Sequence, residues 1–227
     1  MDIPFKDHFT IRELFIVIVA KNHNPTILNP DFLKYNKIVP SDWELSSNPI
    51  CIEPIAQVSF KNGITIRAEF EKLIFSEGLK DKTNKEIKIP KIARKYIETL
   101  PHVNYKAVGI NPLGYIPISN ENDTTDFIIK NLIASGPWQR FENTPAKVSV
   151  KFIYTLESVK CYLDIEESFV EEKIPVILFR ANFHHDIEDS GKEDKSQHLY
   201  LTIDNWENDL EIFRKIVIEN FLVKGKS

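Results

Sequence analysis

Glycine is scarce in this sequence, with seven residues among 227, and the glycine-rich loops that hold nucleotide phosphates are missing. The chain contains neither a GxxxxGK[ST] run nor a GxGxxG run after a strand-like segment. It also lacks the GxSxG elbow of serine hydrolases and the HExxH helix of zinc proteases. These absences exclude the common nucleotide-binding loops and the usual scaffolds of two hydrolase classes.

Cysteine and long apolar runs are equally limited. Cys51 and Cys161 are the two cysteines, too few for a disulfide framework or a thiolate metal site. The longest apolar run, residues 14–20, is far shorter than the roughly 20 residues of a membrane-spanning helix. Residues 1–9 do not read as a secretory signal. We therefore expect a cytoplasmic protein with no membrane partner.

The charge is mixed along the chain rather than concentrated. The 29 basic and 33 acidic side chains give a net charge of −4, and no basic patch is visible. Nucleic acid is therefore not an expected partner. With 42% hydrophobic residues the chain can form a core without metals or disulfides, and its length fits one domain, residues 1–227. No pattern for a cofactor is present, so none is expected.

The first half of the sequence alternates strand and helix signals. Residues 9–20 become solidly β-branched, which is typical of a central strand, and Asn29 precedes a helix over about 30–35. Residues 52–60 and 64–71 alternate around Asn62-Gly63, which predicts a hairpin with a type I′ turn. The inward residues of this hairpin are expected to be Ile52, Ala56, Val58, Phe60, Ile64, Ile66, Ala68 and Phe70.

Strand signals dominate the second half. A helix is predicted over 90–100, a strand over 105–116 with a bulge or bend at Gly109 or Gly114, and a helix over 125–135. Further strands are expected at 146–156, 159–168, 174–185 and 198–203, with a mobile acidic loop at about 186–197. An amphipathic helix begins after Asp204 as cap, with Glu207 completing a capping box.

Paired strands with few helices between them indicate an α+β fold. We predict a mainly antiparallel sheet with three to four helices packed on it, in a single domain. Both halves of the chain contain a strand hairpin followed by a helix, which leaves a distant duplication open.

The best candidate for metal chemistry is a histidine cluster at the end of a late strand. His184 and Asp186 share one face of that strand, and His198 returns just after the loop. Two imidazoles and a carboxylate are ligands for a catalytic metal ion. The alternative is that these histidines are ordinary exposed residues at the edge of a loop.

A second candidate is a polar face on the late strands. Arg180, Asn182 and His184 alternate with apolar residues, and Asp164 and Glu166 do the same on the preceding strand. Such a face could bind a polar ligand. It also fits the solvated side of an antiparallel sheet with cross-strand ion pairs.

Three short segments carry a resemblance. The strand 105–111, the strand 163–166 and the closing helix 204–221 are similar to those of a group of conserved, uncharacterised bacterial proteins. The resemblance covers about the last 120 residues of this chain. It implies no reaction, cofactor or catalytic residue.

The expected function follows from the catalytic motifs that are missing and from the amphipathic segments that are present. Catalytic scaffolds are missing while amphipathic elements are plentiful, so we expect a non-catalytic binding or assembly protein. Its partner would be another protein or a second copy of the chain, giving a homo-oligomer, through a sheet face, an edge or a helix. The alternative is a metal-assisted hydrolase or other enzyme that uses His184, Asp186 and His198.

Overall fold

The computed structural model describes residues 8–157, 159–171, 173–188 and 194–222. The elements of the first half are β1 (Thr10–Lys21), α1 (Pro30–Tyr35), β2 (Ile50–Ile52), β3 (Ile55–Ser59), β4 (Ile64–Glu69), β5 (Lys72–Gly78) and α2 (Ile89–Thr99). Those of the second half are β6 (Asn104–Pro117), α3 (Glu121–Leu132), β7 (Arg140–Phe141), β8 (Thr144–Pro145), β9 (Val150–Thr155), β10 (Lys160–Val170), β11 (Ile174–Asp186), α4 (Lys195–Asp204) and α5 (Trp206–Val217).

Nine strands form one antiparallel sheet in the order β2-β3-β4-β5-β1-β6-β11-β10-β9. The predicted α+β class with a mainly antiparallel sheet is therefore confirmed, and β1 is central as expected. The two halves of the chain have corresponding topologies. In each half a long strand is followed by a helix, then by an antiparallel meander whose last strand pairs with the long strand, and then by helix.

The helices and the core lie on one side of this sheet. The inward side chains of β1 are Leu14, Ile16 and Ile18, all fully buried. Phe9 makes edge contacts with Phe179 of β11 and Phe213 of α5, so it joins the sheet to the last helix. Burial of each such aromatic side chain contributes about 1.5–3 kcal/mol. No helix in the described part of the chain is long and apolar enough to cross a membrane.

The hairpin of β3 and β4 is confirmed, but its turn differs from the prediction. Gly63 has φ +84°, whereas Asn62 does not have positive φ. The Gly63 N–H donates to the Phe60 carbonyl and the Phe60 N–H donates to the Ile64 carbonyl. This pattern is that of a three-residue loop with one left-handed glycine rather than of a type I′ turn.

Two residues expected to point inward are exposed. Ile52 is 65% exposed because it belongs to β2, a short edge strand separated from β3 by a turn. Phe70 is 48% exposed because β4 ends at Glu69 and the chain turns there. The alternating pattern therefore extended beyond the strands at both ends.

The predicted strand at 198–203 is wrong, because these residues belong to helix α4. Leu199, Leu201 and Ile203 alternate as in a strand, yet Leu201 is 56% exposed. The buried residues Leu199, Thr202 and Ile203 follow helical spacing, and Asp194 caps the helix by accepting from the Gln197 N–H. The described residues thus contain five α-helices, more than the three to four expected.

Two boundary predictions next to α4 also change. The acidic loop predicted at 186–197 is shorter, because Asp186 ends β11 and residues 195–197 are helical, while 189–193 lie outside the described residues. Asp204 does not cap α5. It ends α4 and pairs with Arg94 of α2, and Asn205 occupies the cap position of α5 without a side-chain hydrogen bond.

Gly109 and Gly114 were predicted to mark a bulge or bend, and Gly114 lies beside a bulge between β1 and β6. The register between β1 and β6 shifts between Ile11 and Glu13, where Ile11 faces Gly114. Gly109 pairs regularly with Val17, and its missing side chain leaves room for the side-chain amides of Asn111 and Asn182.

A histidine is buried beneath the first half of the sheet. His23 is 1% exposed and its Nε2 lies 3.1 Å from the Tyr96 hydroxyl oxygen. Burial lowers the pKa of this ring below its ordinary value of 6.5. The folded state therefore favours the neutral ring more than the unfolded state does.

This lowered pKa predicts a loss of stability in acid. As the pH falls below about 6.5, the unfolded chain binds a proton at His23 before the folded protein does, so the free energy of unfolding decreases. Chemical unfolding at a series of pH values should show a shallower decrease for His23→Gln than for the unaltered protein. The exposed His102→Gln variant is the control, and an unchanged slope in His23→Gln would refute the assignment.

Candidate functional site

The sheet has a second face, which we call the open face, and no described helix packs on it. It consists of the side chains that alternate with the core residues, such as Val17 of β1 and Gly109 of β6. The core residues of β1, β6, β10 and β11 all point the other way. Val176 and Leu178 of β11 are buried on this face. Six other apolar and aromatic side chains on it are only half-buried, namely Phe15, Val17, Ile74, Leu113, Tyr115 and Tyr162.

All five predicted ligand-binding residues lie on the open face. The strand register places Arg180 opposite Asp164, and Glu166, Asn182 and His184 continue the same face. Arg180 Nη2 lies 3.1 Å from Glu166 Oε1. Asp164 Oδ1 lies 3.3 Å from Lys151 Nζ of β9. The charged members are thus in cross-strand ion pairs, whose contribution at a surface is about 0–1 kcal/mol.

Gly109 lies near the middle of the open face, on β6 between β1 and β11. A Cβ at this glycine would be 2.9 Å from Asn111 Oδ1 and 3.1 Å from Asn182 Oδ1, so two side-chain amides converge over the missing side chain. Both oxygens are buried and accept no hydrogen bond from the described residues. A buried acceptor without a donor costs about 1–3 kcal/mol, so these two oxygens require a donor from outside the described residues.

Glu13 lies on the same face, in the row next to Phe15 and Asn111. Burial raises the pKa of this carboxyl above its ordinary value, and Arg12 and a hydrogen bond with Ser76 offset part of the rise. A raised pKa indicates restricted access of water to this part of the face.

A separate cleft of about 920 Å³, which we call the histidine cleft, lies at the end of β10 and β11 where α4 crosses. His184, His185, Asp186 and His198 all line it, together with Lys160. The three predicted metal ligands, His184, Asp186 and His198, are therefore brought to one place. Within the described ranges, however, no group of three or more His, Cys, Asp or Glu side chains is arranged to hold a metal ion.

His185 has a partner that the sequence analysis did not identify. Its Nε2 lies 2.7 Å from Asp209 Oδ2 of α5, and Asp209 is 2% exposed. The pair joins the cleft wall to the helix beneath it. The sequence did indicate that Asp209 is buried, because it lies on the apolar face of α5 formed by Trp206, Leu210, Phe213 and Val217.

Comparisons with known proteins add little. No protein-family model matches the chain, and no curated protein matches its sequence. Among solved structures the chain is similar to DynU16, a protein in the dynemicin biosynthetic locus, with 12% identity and a TM-score of 0.21. The match covers 89% of this chain and 98% of that one. At this TM-score the similarity supports no inference about fold or function.

Proposed function

We propose that this chain is a non-catalytic binding protein that takes up a segment of a protein partner on the open face of its sheet. The observation that supports this proposal is the pair of buried oxygens, Asn111 Oδ1 and Asn182 Oδ1, which converge without a donor on a face that no described helix covers. Because antiparallel sheets commonly leave one face to solvent, an uncovered face alone indicates little. Unsatisfied buried acceptors on it require a separate explanation.

The chemistry of the face fits a polypeptide. Backbone N–H groups are the donors that two amide oxygens lack, and every residue of a bound segment except proline offers one. Phe15 on one side of the asparagines and Tyr162 on the other offer aromatic surface for apolar side chains of the segment. Both oxygens are shielded from solvent in the free chain, so the two amides must rotate toward the segment to accept from it. Binding would then satisfy both oxygens and cover half-buried apolar surface.

Site-specific photo-crosslinking tests the location of binding. A photoreactive phenylalanine analogue at position 15 should crosslink a protein partner in host cells, whereas the same analogue at position 141, which is 80% exposed and lies on β7, should not. The Asn111→Ala/Asn182→Ala double variant should lose the crosslink at position 15. An adduct with twice the mass of the chain would identify the partner as a second copy.

Equal crosslinking at positions 15 and 141 would contradict the proposal. So would a double variant that retains the crosslink at position 15, because binding would then not depend on the two amides.

The proposal also predicts the stability of the Asn111→Ala/Asn182→Ala double variant. Removing two unsatisfied acceptors should leave the free energy of unfolding unchanged or raise it by about 1–3 kcal/mol. Urea unfolding of the purified variant measures this change. Lower stability would mean that the amides are satisfied in the free protein, which would contradict the proposed binding site.

A further inference from the structure

The histidine cleft has an excess of positive and hydrogen-bond-donating groups in its wall. Among the described residues of the lining, the basic side chains are Lys160, His184, His185 and His198, and the one carboxylate is that of Asp186. Asp209 lies behind His185 rather than in the lining. The donors Tyr162 and Asn205 also line the cleft. Its volume of about 920 Å³ lies within the range of small-molecule pockets, about 300–1,000 Å³.

Two of these groups are direct cross-strand neighbours. Lys160 of β10 lies opposite His184 of β11, and Thr155 of β9 lies on the other side of Lys160. In the part of the chain that the structure describes, no ion pair to a carboxylate is formed by Lys160. Two basic side chains side by side on a sheet repel each other when both are charged, and an anion between them removes that repulsion.

His185 is held in one orientation. The bond between its Nε2 and the buried Asp209 fixes the ring, so Nδ1 is the nitrogen that Asp209 does not engage. The cleft thus contains an imidazole ring in a fixed orientation in addition to the exposed Lys160.

The cleft also has an apolar side. Leu156 and Val159 line it from the turn between β9 and β10, and Leu201 of α4 lines it while remaining 56% exposed. A small inorganic ion would leave this surface unused.

We infer that the histidine cleft binds a small molecule that carries an oxyanion on an apolar body, with Lys160 and His184 beside the oxyanion and Leu201 against the body. The cleft shares Tyr162 and His184 with the edge of the open face, but the inference rests on the residues that line the cleft and not on the proposed partner site.

Calorimetric titration at fixed pH and ionic strength tests this inference with three probes: inorganic phosphate, malonate and phenyl phosphate. Saturable binding of phosphate or malonate is expected, and the tighter of the two identifies the class of oxyanion. Phenyl phosphate should bind more tightly than inorganic phosphate, and Leu201→Ser should abolish that difference.

Charge-matched variants locate the binding site. Lys160→Gln and His184→Gln should each weaken binding by about ten-fold, the usual effect of losing one charge-assisted hydrogen bond. Lys173→Gln removes the same charge from an exposed residue at the opposite end of the β10–β11 hairpin and should change the affinity less than two-fold, roughly the effect of a distant screened charge. Lys160 is exposed, so its replacement should leave the fold intact.

Two results would overturn the inference. One is the absence of saturable binding for all three probes. The other is an equal loss of affinity in Lys160→Gln and Lys173→Gln, because the attraction would then be a general effect of net charge.

Discussion

Replacing Glu77 by alanine is expected to lower the free energy of unfolding by about 3–5 kcal/mol. Glu77 is fully buried on the core side of β5, and both oxygens of its carboxylate accept hydrogen bonds. Its carboxylate accepts from Lys82 Nζ at 2.8 Å and from the backbone N–H groups of Lys88 and Ile89 at 2.7 and 2.9 Å. The last two belong to the start of α2, so one side chain caps that helix and joins it to the sheet.

Thermal or urea unfolding would measure the effect of this substitution. The control is Glu44→Ala, because Glu44 also pairs with a lysine, Lys61, but is 70% exposed and should contribute less than about 1 kcal/mol. Glu77→Gln should lie between the two, since its amide oxygen still accepts but carries no charge. A Glu77→Ala variant as stable as Glu44→Ala would show that the buried carboxylate does not anchor α2.

The two cysteines are expected to differ in reactivity toward thiol reagents by at least three orders of magnitude. Cys161 is 1% exposed, and burial, with a smaller contribution from Asp209, raises the pKa of its thiol from 9.0 to about 12. At pH 8 about one in ten thousand such thiols is ionised, against about one in ten for a thiol with the ordinary value. Cys51 is exposed on the edge strand β2.

Labelling with iodoacetamide, followed by mass spectrometry of peptides, would give both rates. Cys51→Ser should remove the fast phase and leave a protein that labels only as it unfolds. Rapid labelling of Cys161 in the folded Cys51→Ser variant would contradict the burial and the raised pKa.

Local patterns predicted most individual elements of this fold. Helix α1 lies at the predicted residues because Asn29 caps it and Pro30 opens it. The hairpin of β3 and β4 was predicted from alternation around Gly63, although the conformation of the turn was not. The strand predicted at 198–203 was wrong because a pattern of six residues can fit both the two-residue period of a strand and the 3.6-residue period of a helix. Tertiary contacts decide which of the two forms.

The candidate sites were predicted less completely, because they depend on contacts between distant segments. The sequence placed Arg180, Asn182 and His184 on one face, and the structure confirms that placement. It could not show that Asn111 lies beside Asn182 over Gly109, because that contact requires the pairing of β6 with β11, 70 residues later in the chain. The pair of His185 and Asp209 similarly depends on the packing of α5 against β11.

The position of β6 in the sheet has a consequence for how the chain is synthesised. When β6 leaves the ribosome, β1 is already available to pair along one of its edges, since β1 and β5 precede it. Its other edge must wait for β11, which begins at Ile174. During that interval a long apolar strand has one row of unpaired backbone groups, which is the condition that favours pairing with other chains. The interval between the synthesis of β6 and that of β11 is therefore a stage at which the nascent chain is exposed to aggregation.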